Sequence, residues 1–220
     1  MEGQDGTGIA DRGRGLAHCL GPEISSASDL LPAEWRLRGG PRPGLQEGGR
    51  FRPVLERLDK GEDWSWHQNP FVGTRPYRGL LVLNVMMNNS DLKPANNSVY
   101  RASRPWPHPG RWFVVRDVGH TFGRTGRMHG TRDDLEGFEE HRFVTRTTED
   151  RVFFEWHGRH GELLEPITPE DVRWIGDQLA ELTDQQWIDA FRAGGYTRDE
   201  ARPFISRMQE EIRRAQSVGP

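Results

Sequence analysis

Cysteine, lysine and long apolar runs are scarce in this chain. The single cysteine, Cys19, rules out an internal disulfide, and that fits a reducing compartment. No run approaches the roughly 18 apolar residues that a membrane span requires. The opening stretch MEGQDGTGIADRGRG has no apolar segment of the signal-peptide kind, so the expected location is the cytoplasm. Basic charge is not in excess either. The net charge is −3, without the basic footprint of a nucleic-acid-binding domain, so neither nucleic acid nor membrane is expected as a partner. Lysine occurs twice, at Lys60 and Lys93, and arginine supplies the rest of the positive charge.

Hydrophobic residues make up 34% of the chain, and 26 Gly and 15 Pro accompany them. That composition predicts a modest core wrapped in irregular segments. Residues 1–50 read as a disordered or loop-rich N-terminal segment, extended around Trp35 at 31–50. Residues 51–220 read as one domain. Within it, WSWHQNPF brings Trp64, Trp66 and Phe71 together, best explained as packing under a loop. GLLVLNVMMNN at 79–89 predicts a buried helix, since Leu, Met and Asn favour helix over strand. SVYRAS and RWFVVRDVG predict a hairpin across the turn-rich SRPWPHPG. FVTRTT and RVFFEW predict a second hairpin turning at Glu149-Asp150. Residues 119–140 read as a glycine-punctuated loop. Lys60, in Leu-Asp-Lys-Gly-Glu, reads as lying outside any strand.

The stretch 168–216 reads as helical. Thr168 precedes Pro169 and two acids, and Thr183 with Gln186 and Thr197 with Glu200 form capping boxes. Apolar stripes follow: Val172, Ile175 and Leu179 with Trp174 beside them; Trp187, Ile188 and Phe191; then Phe204, Ile205, Met208 and Ile212. Gly194-Gly195 stops the second helix. These stripes predict a helical layer without chemistry of its own.

The chemistry-bearing pattern is Asp91-Leu92-Lys93-Pro94-Ala95-Asn96, followed after a hydrophobic strand by Arg116-Asp117-Val118-Gly119. A loop that displays Asp, Lys and Asn within six residues can aim all three at one small volume. Here the chain resembles the protein-kinase-like superfamily, with D-L-K-P-x-N matching half of the catalytic loop and D-V-G standing for D-F-G. It is also similar to bacterial kinase-like proteins carrying N-N-x-D-L-K…N and D-x-G-x-x-x-G. The resemblance covers residues 80–120. It implies an α+β fold like a kinase C-lobe: a buried helix, the catalytic loop, β-hairpins and a C-terminal helical layer. It also implies an ATP- and Mg²⁺-dependent phosphotransferase with an unknown hydroxyl acceptor. By that resemblance, Asp91 would orient the attacking hydroxyl and accept its proton, and Lys93 would steady the transferring phosphoryl group. Asn96 and Asp117 would hold Mg²⁺, and Gly119, with Lys93 on the cofactor-binding side, would let the chain turn sharply beside the metal.

Departures from the family pattern define the alternative. Asn89-Ser90 replace the His-Arg before the aspartate, and Val118 replaces the Phe. No Gly-rich strand-turn-strand or strand-borne lysine is legible upstream, so a truncated pseudokinase or binding module without catalysis is the competing reading. The bland reading is a polar turn in which Asp91 and Asn96 cap backbone groups.

Other polar features carry less. His120 to Arg127, with two arginines among glycines, could face an anion or only solvent. His157 and His160 are three residues apart at a strand end, with no fixed chelating face and no third ligand evident. They, like His120, His129 and His141, read as structural or solvated. Asn88-Asn89-Ser90 and Asn96-Asn97-Ser98 match the glycosylation sequon by chance.

Overall fold

The computed structural model describes residues 35–37, 51–53, 58–102, 111–115, 118, 120–125 and 130–219. Seven short strands and five α-helices lie among them. In chain order they are β1 (Trp35–Leu37), β2 (Phe51–Pro53), β3 (Leu58–Lys60), α1 (Arg75–Met86), β4 (Asn97–Ala102) and β5 (Arg111–Val115). Then come α2 (Leu135–Glu140), β6 (Val144–Thr147), β7 (Val152–Phe154), α3 (Pro169–Ala180), α4 (Asp184–Ala193) and α5 (Arg198–Gln216). The architecture is α+β. Its sheets are antiparallel and small: β1-β2, β3-β4-β5 and β6-β7. Among the described residues no helix is long and apolar enough to cross a membrane.

Helix α1 is the centre of the core. The Thr74 hydroxyl caps it by accepting from the Tyr77 N–H, and Pro76 stands in its first turn, where a missing N–H is harmless. Leu81 to Met86 are buried without a break, so the second half of the helix is enclosed on every side, while Arg75 and Pro76 at its start are exposed. Its partner is α3. Gly79 permits the close approach, because a Cβ there would lie 2.6 Å from the Trp174 ring. Helix α5 closes on α3 in the same manner, with Gly176 against Ala215 and Gln216.

The three C-terminal helices start where their caps place them. Thr168, Thr183 and Thr197 each form a complete capping box, with Asp171, Gln186 and Glu200 respectively. The apolar stripes are buried at Val172, Ile175, Leu179, Trp187, Phe191, Phe204, Ile205, Met208 and Ile212. Both expected hairpins are present, and Trp64 and Trp66 are buried.

Several boundaries differ from expectation. Helix α1 begins at Arg75, four residues before the apolar run, because Thr74 and Pro76 supply a start signal. Lys60 lies in a strand after all: β3 pairs with β4, setting Leu58, Asp59 and Lys60 opposite Ala102, Arg101 and Tyr100. A polar edge segment of this kind takes its conformation from a partner strand rather than from its own propensity. The loop 119–140 contains α2, capped by Asp134. A short strand, Trp35–Leu37, stands in the stretch expected to be loop. Phe71 is 42% exposed, its ring edge-on to Phe113, so it does not pack under the loop as Trp64 and Trp66 do.

Asp171 joins α1 to α3. Its Oδ2 accepts from Arg78 Nε at 2.7 Å and from the Thr168 backbone and hydroxyl at 3.1 and 3.0 Å. Burial opposes ionisation, but the Arg78 and Thr168 donors outweigh it and hold the carboxyl below its ordinary value. A depressed folded value means the stabilisation is complete above the ordinary aspartate value of about 3.9 and is lost as pH falls through the folded one. Asp171→Asn should therefore lower the unfolding free energy by about 2 kcal/mol at neutral pH. The loss should shrink on acidification below about pH 4. Urea denaturation at neutral and acid pH measures both.

Candidate functional site

Helix α1 ends inside the protein, where its last carbonyls cannot reach water. Backbone N–H groups meet them: Met87 donates to the Leu83 carbonyl, Asn89 to Asn84, Asn88 to Val85 and Phe122 to Met87. Three asparagine side chains are buried beside these bonds. Asn84, Asn88 and Asn89 are each no more than 2% exposed. Asn84 Nδ2 donates to the Leu80 carbonyl at 2.8 Å, and Asn89 Nδ2 donates to Asn84 Oδ1 at 2.8 Å. Asn89 Oδ1 accepts from the Asp91 N–H at 3.3 Å. Buried amides thus run from the helix interior to the backbone of Asp91. Unpaired, each would cost roughly 1–3 kcal/mol.

Asn88 serves a second connection. It sits at φ 54°, in the left-handed region that asparagine tolerates best after glycine. Its Nδ2 donates to the Gly123 carbonyl at 2.6 Å, and the Phe122 N–H donates to the Met87 carbonyl at 2.9 Å. The segment after Gly119 is therefore fastened to the end of α1. A buried amide engaged in this way leaves no room for a glycan at the first sequon.

The Asp91 loop follows. Leu92 is buried and anchors it, and Pro94–Asn96 form one 3-10 turn. Lys93 Nζ lies 2.8 Å from Asp91 Oδ1. Asn96 Nδ2 donates to the Asp91 carbonyl at 3.1 Å and to its Oδ2 at 3.0 Å. The structure thus brings Asp91, Lys93 and Asn96 together. Asp117 and Gly119 lie outside the described residues. Of their surroundings, Val115 pairs with Asn97, the residue after Asn96, and Val118 is buried. Strand β5 therefore ends beside the point where the Asp91 loop enters β4.

Phe122 pins the following loop. It is fully buried, in van der Waals range of Phe138, Phe191 and Phe204, and holds φ 58°. Gly123 has no space for a side chain, since a Cβ would meet the Thr131 carbonyl at 2.4 Å. Arg124 pairs with Glu140 at 2.6 Å, so its charge is already matched. Arg127 and His129 lie outside the described residues, and His120 is exposed.

The histidines separate by environment. His141 is buried, with Nε2 3.1 Å from the Glu155 carbonyl, and burial pushes its pKa down. His157 Nε2 lies 3.3 Å from the Glu155 carboxylate. His160 does have ligand-type neighbours: His67 and Glu162 converge on it, contrary to the expectation of no third ligand. Sequence spacing could not show this, because His67 lies 93 residues upstream.

Comparison of the chain with protein-family models, with curated proteins and with solved structures returns no match.

Replacing Asn88 separates its two roles. Asn88→Gly keeps the left-handed backbone and loses one hydrogen bond, for about 1 kcal/mol. Asn88→Ala also adds backbone strain, for about 2 kcal/mol in all. Equilibrium urea denaturation should rank wild type above Gly and Gly above Ala.

Proposed function

We propose that the chain is an ATP- and Mg²⁺-dependent phosphotransferase of kinase-like C-lobe architecture, acting on a hydroxyl acceptor. The observation that carries the reading is the convergence of Lys93 and Asn96 on the Asp91 carboxylate, on a loop tied through Asn89 to the end of a buried helix. Phosphoryl transfer rests on positioning and charge stabilisation, and a rigid polar loop supplies both.

The roles follow from chemistry. Asp91 offers a carboxylate to align a hydroxyl and take its proton. Lys93 is nearly half exposed, so its surface pairing with Asp91 is weak and can be exchanged for a phosphoryl oxygen. Asn96 spends its Nδ2 on Asp91, and its Oδ1 has no protein partner among the described residues. That oxygen is a hard donor suited to Mg²⁺, and Asp117 would be the second, with Gly119 at the turn beside the nucleotide. When bound, Mg²⁺ neutralises charge on the phosphates.

A second reading has its own observation. The Asn96 bond to the Asp91 carbonyl is also what a polar turn makes for itself, so the loop could bind nucleotide without catalysis or serve only as a turn.

Thermal shift with Mg·ATP decides among these. At 100 times its Kd, the ligand should add about 2.7 kcal/mol to the wild type and nothing to Asp117→Ala. ATP consumption with a hydroxyl acceptor that persists in wild type and disappears in Asp91→Ala, with binding retained, supports the transferase. Binding without turnover supports the pseudokinase. No shift in wild type overturns both.

A further inference from the structure

We infer that His67, His160 and Glu162 form a binding site for a divalent transition-metal cation, zinc foremost. This stands whether or not the Asp91 loop transfers phosphate.

Three atoms define the site. His67 Nε2 lies 3.1 Å from His160 Nδ1 and 3.5 Å from Glu162 Oε1, and His160 Nδ1 lies 3.2 Å from the same oxygen. A tetrahedral zinc ion with bonds near 2.0–2.1 Å holds its ligands about 3.3 Å apart. The observed triangle has those edges. Its corners are about 1.9 Å from its centre, so a cation slightly out of plane reaches all three at bonding distance.

Protons alone account for the cluster poorly. If both ring nitrogens donate to Glu162, the two nitrogens stand 3.1 Å apart with no hydrogen between them. If His67 donates to His160 instead, the His160 lone pair faces the carboxylate lone pairs across 3.2 Å. If the His160 N–H points at either neighbour, another edge of the triangle is left without a hydrogen. One cation directed at three lone pairs satisfies every edge at once. Two imidazoles and a carboxylate are also a donor set that zinc favours.

The ligands come from two anchored segments, one carrying His67 and the other His160 and Glu162. His67 follows the buried Trp66, in a turn where Asn69 Nδ2 binds the Ser65 and Trp66 carbonyls at 3.0 and 3.3 Å. His160 follows Arg159, whose N–H donates to the Ser90 carbonyl at 3.3 Å and whose carbonyl accepts from Trp156 Nε1 at 3.1 Å. Glu162 lies in the 3-10 turn Gly161–Leu164, which buried Leu164 secures. His160 itself holds φ 59°, a left-handed conformation costing a non-glycine residue on the order of 1 kcal/mol. Such outliers gather at sites where a side chain must be aimed.

The ligands are partly exposed, so a fourth position is left open to water or a small ligand. A bound ion would clasp the loop before α1 to the loop that backs onto Ser90, one residue from Asp91.

Calorimetric titration of the full chain, stripped with chelator, with zinc chloride tests this. One equivalent should bind the wild type, with a rise in Tm. Affinity should fall at least tenfold in His67→Ala and in His160→Gly, and stay unchanged in His157→Ala. His160→Gly relieves the left-handed strain, so lost binding there cannot be laid to misfolding. The inference is overturned if wild type binds no zinc, if both ligand variants bind as tightly as wild type, or if His157→Ala loses as much affinity as they do.

Discussion

Helix α1 runs from an exposed start into the core, and how it ends there governs the rest of this fold. Its C terminus lies in the interior, so every polar group there needs a protein partner. Backbone N–H groups meet its last carbonyls, and the side chains of three buried asparagines, partnered in turn, fix its neighbours. Asn84 and Asn89 turn the chain outward and present Asp91. Asn88 draws the Phe122-Gly123 segment against the helix. Phe122 then enters the aromatic cluster of the helical layer. The requirement to satisfy a few buried amides thus connects the helix, the polar loop and the C-terminal core.

Much of this was legible because the signals are local. The capping boxes at Thr168, Thr183 and Thr197 set helix starts within a few residues of sequence, and the apolar stripes followed the helical period. The hairpins read from short β-prone runs and the turn residues between them. Lys60 was misread because a short polar strand is stabilised by pairing, and its partner β4 lies some 40 residues downstream. Helix α2 was hidden among glycines, with Asp134 as its only clear start signal. Of the candidate site, the Asp91 loop was readable as a motif and the asparagine relay was not. The single Asn within GLLVLNVMMNN was visible, but its partner depends on how the helix ends. The meeting of His67 with His160 was further out of reach, since no spacing rule joins residues on different loops.

Two buried carboxylates in the helical layer show why partners cannot simply be counted. Asp171 and Glu211 are both about 1% exposed, and both face arginine. Asp171 Oδ2 gathers Arg78, the Thr168 N–H and the Thr168 hydroxyl, and its carboxyl is held below the ordinary value against the cost of burial. Glu211 has two arginines, Arg207 at 2.5 Å and Arg214 at 3.0 Å, yet burial dominates and pushes its carboxyl up. Both guanidinium groups go to Oε1, and Oε2 is buried without a hydrogen-bond partner. Arg207 is shared as well, since its Nη2 also donates to the His141 carbonyl at 2.9 Å and fastens α5 to the chain entering β6. The two groups therefore respond oppositely to acid. Asp171 loses stabilisation as pH falls through its lowered value, whereas Glu211 is relieved of a buried charge as it protonates. Asp171 also has a second guanidinium, Arg75 at 3.8 Å, so what sets it apart from Glu211 is the Thr168 N–H and hydroxyl, which add hydrogen bonds without requiring another charge to leave water.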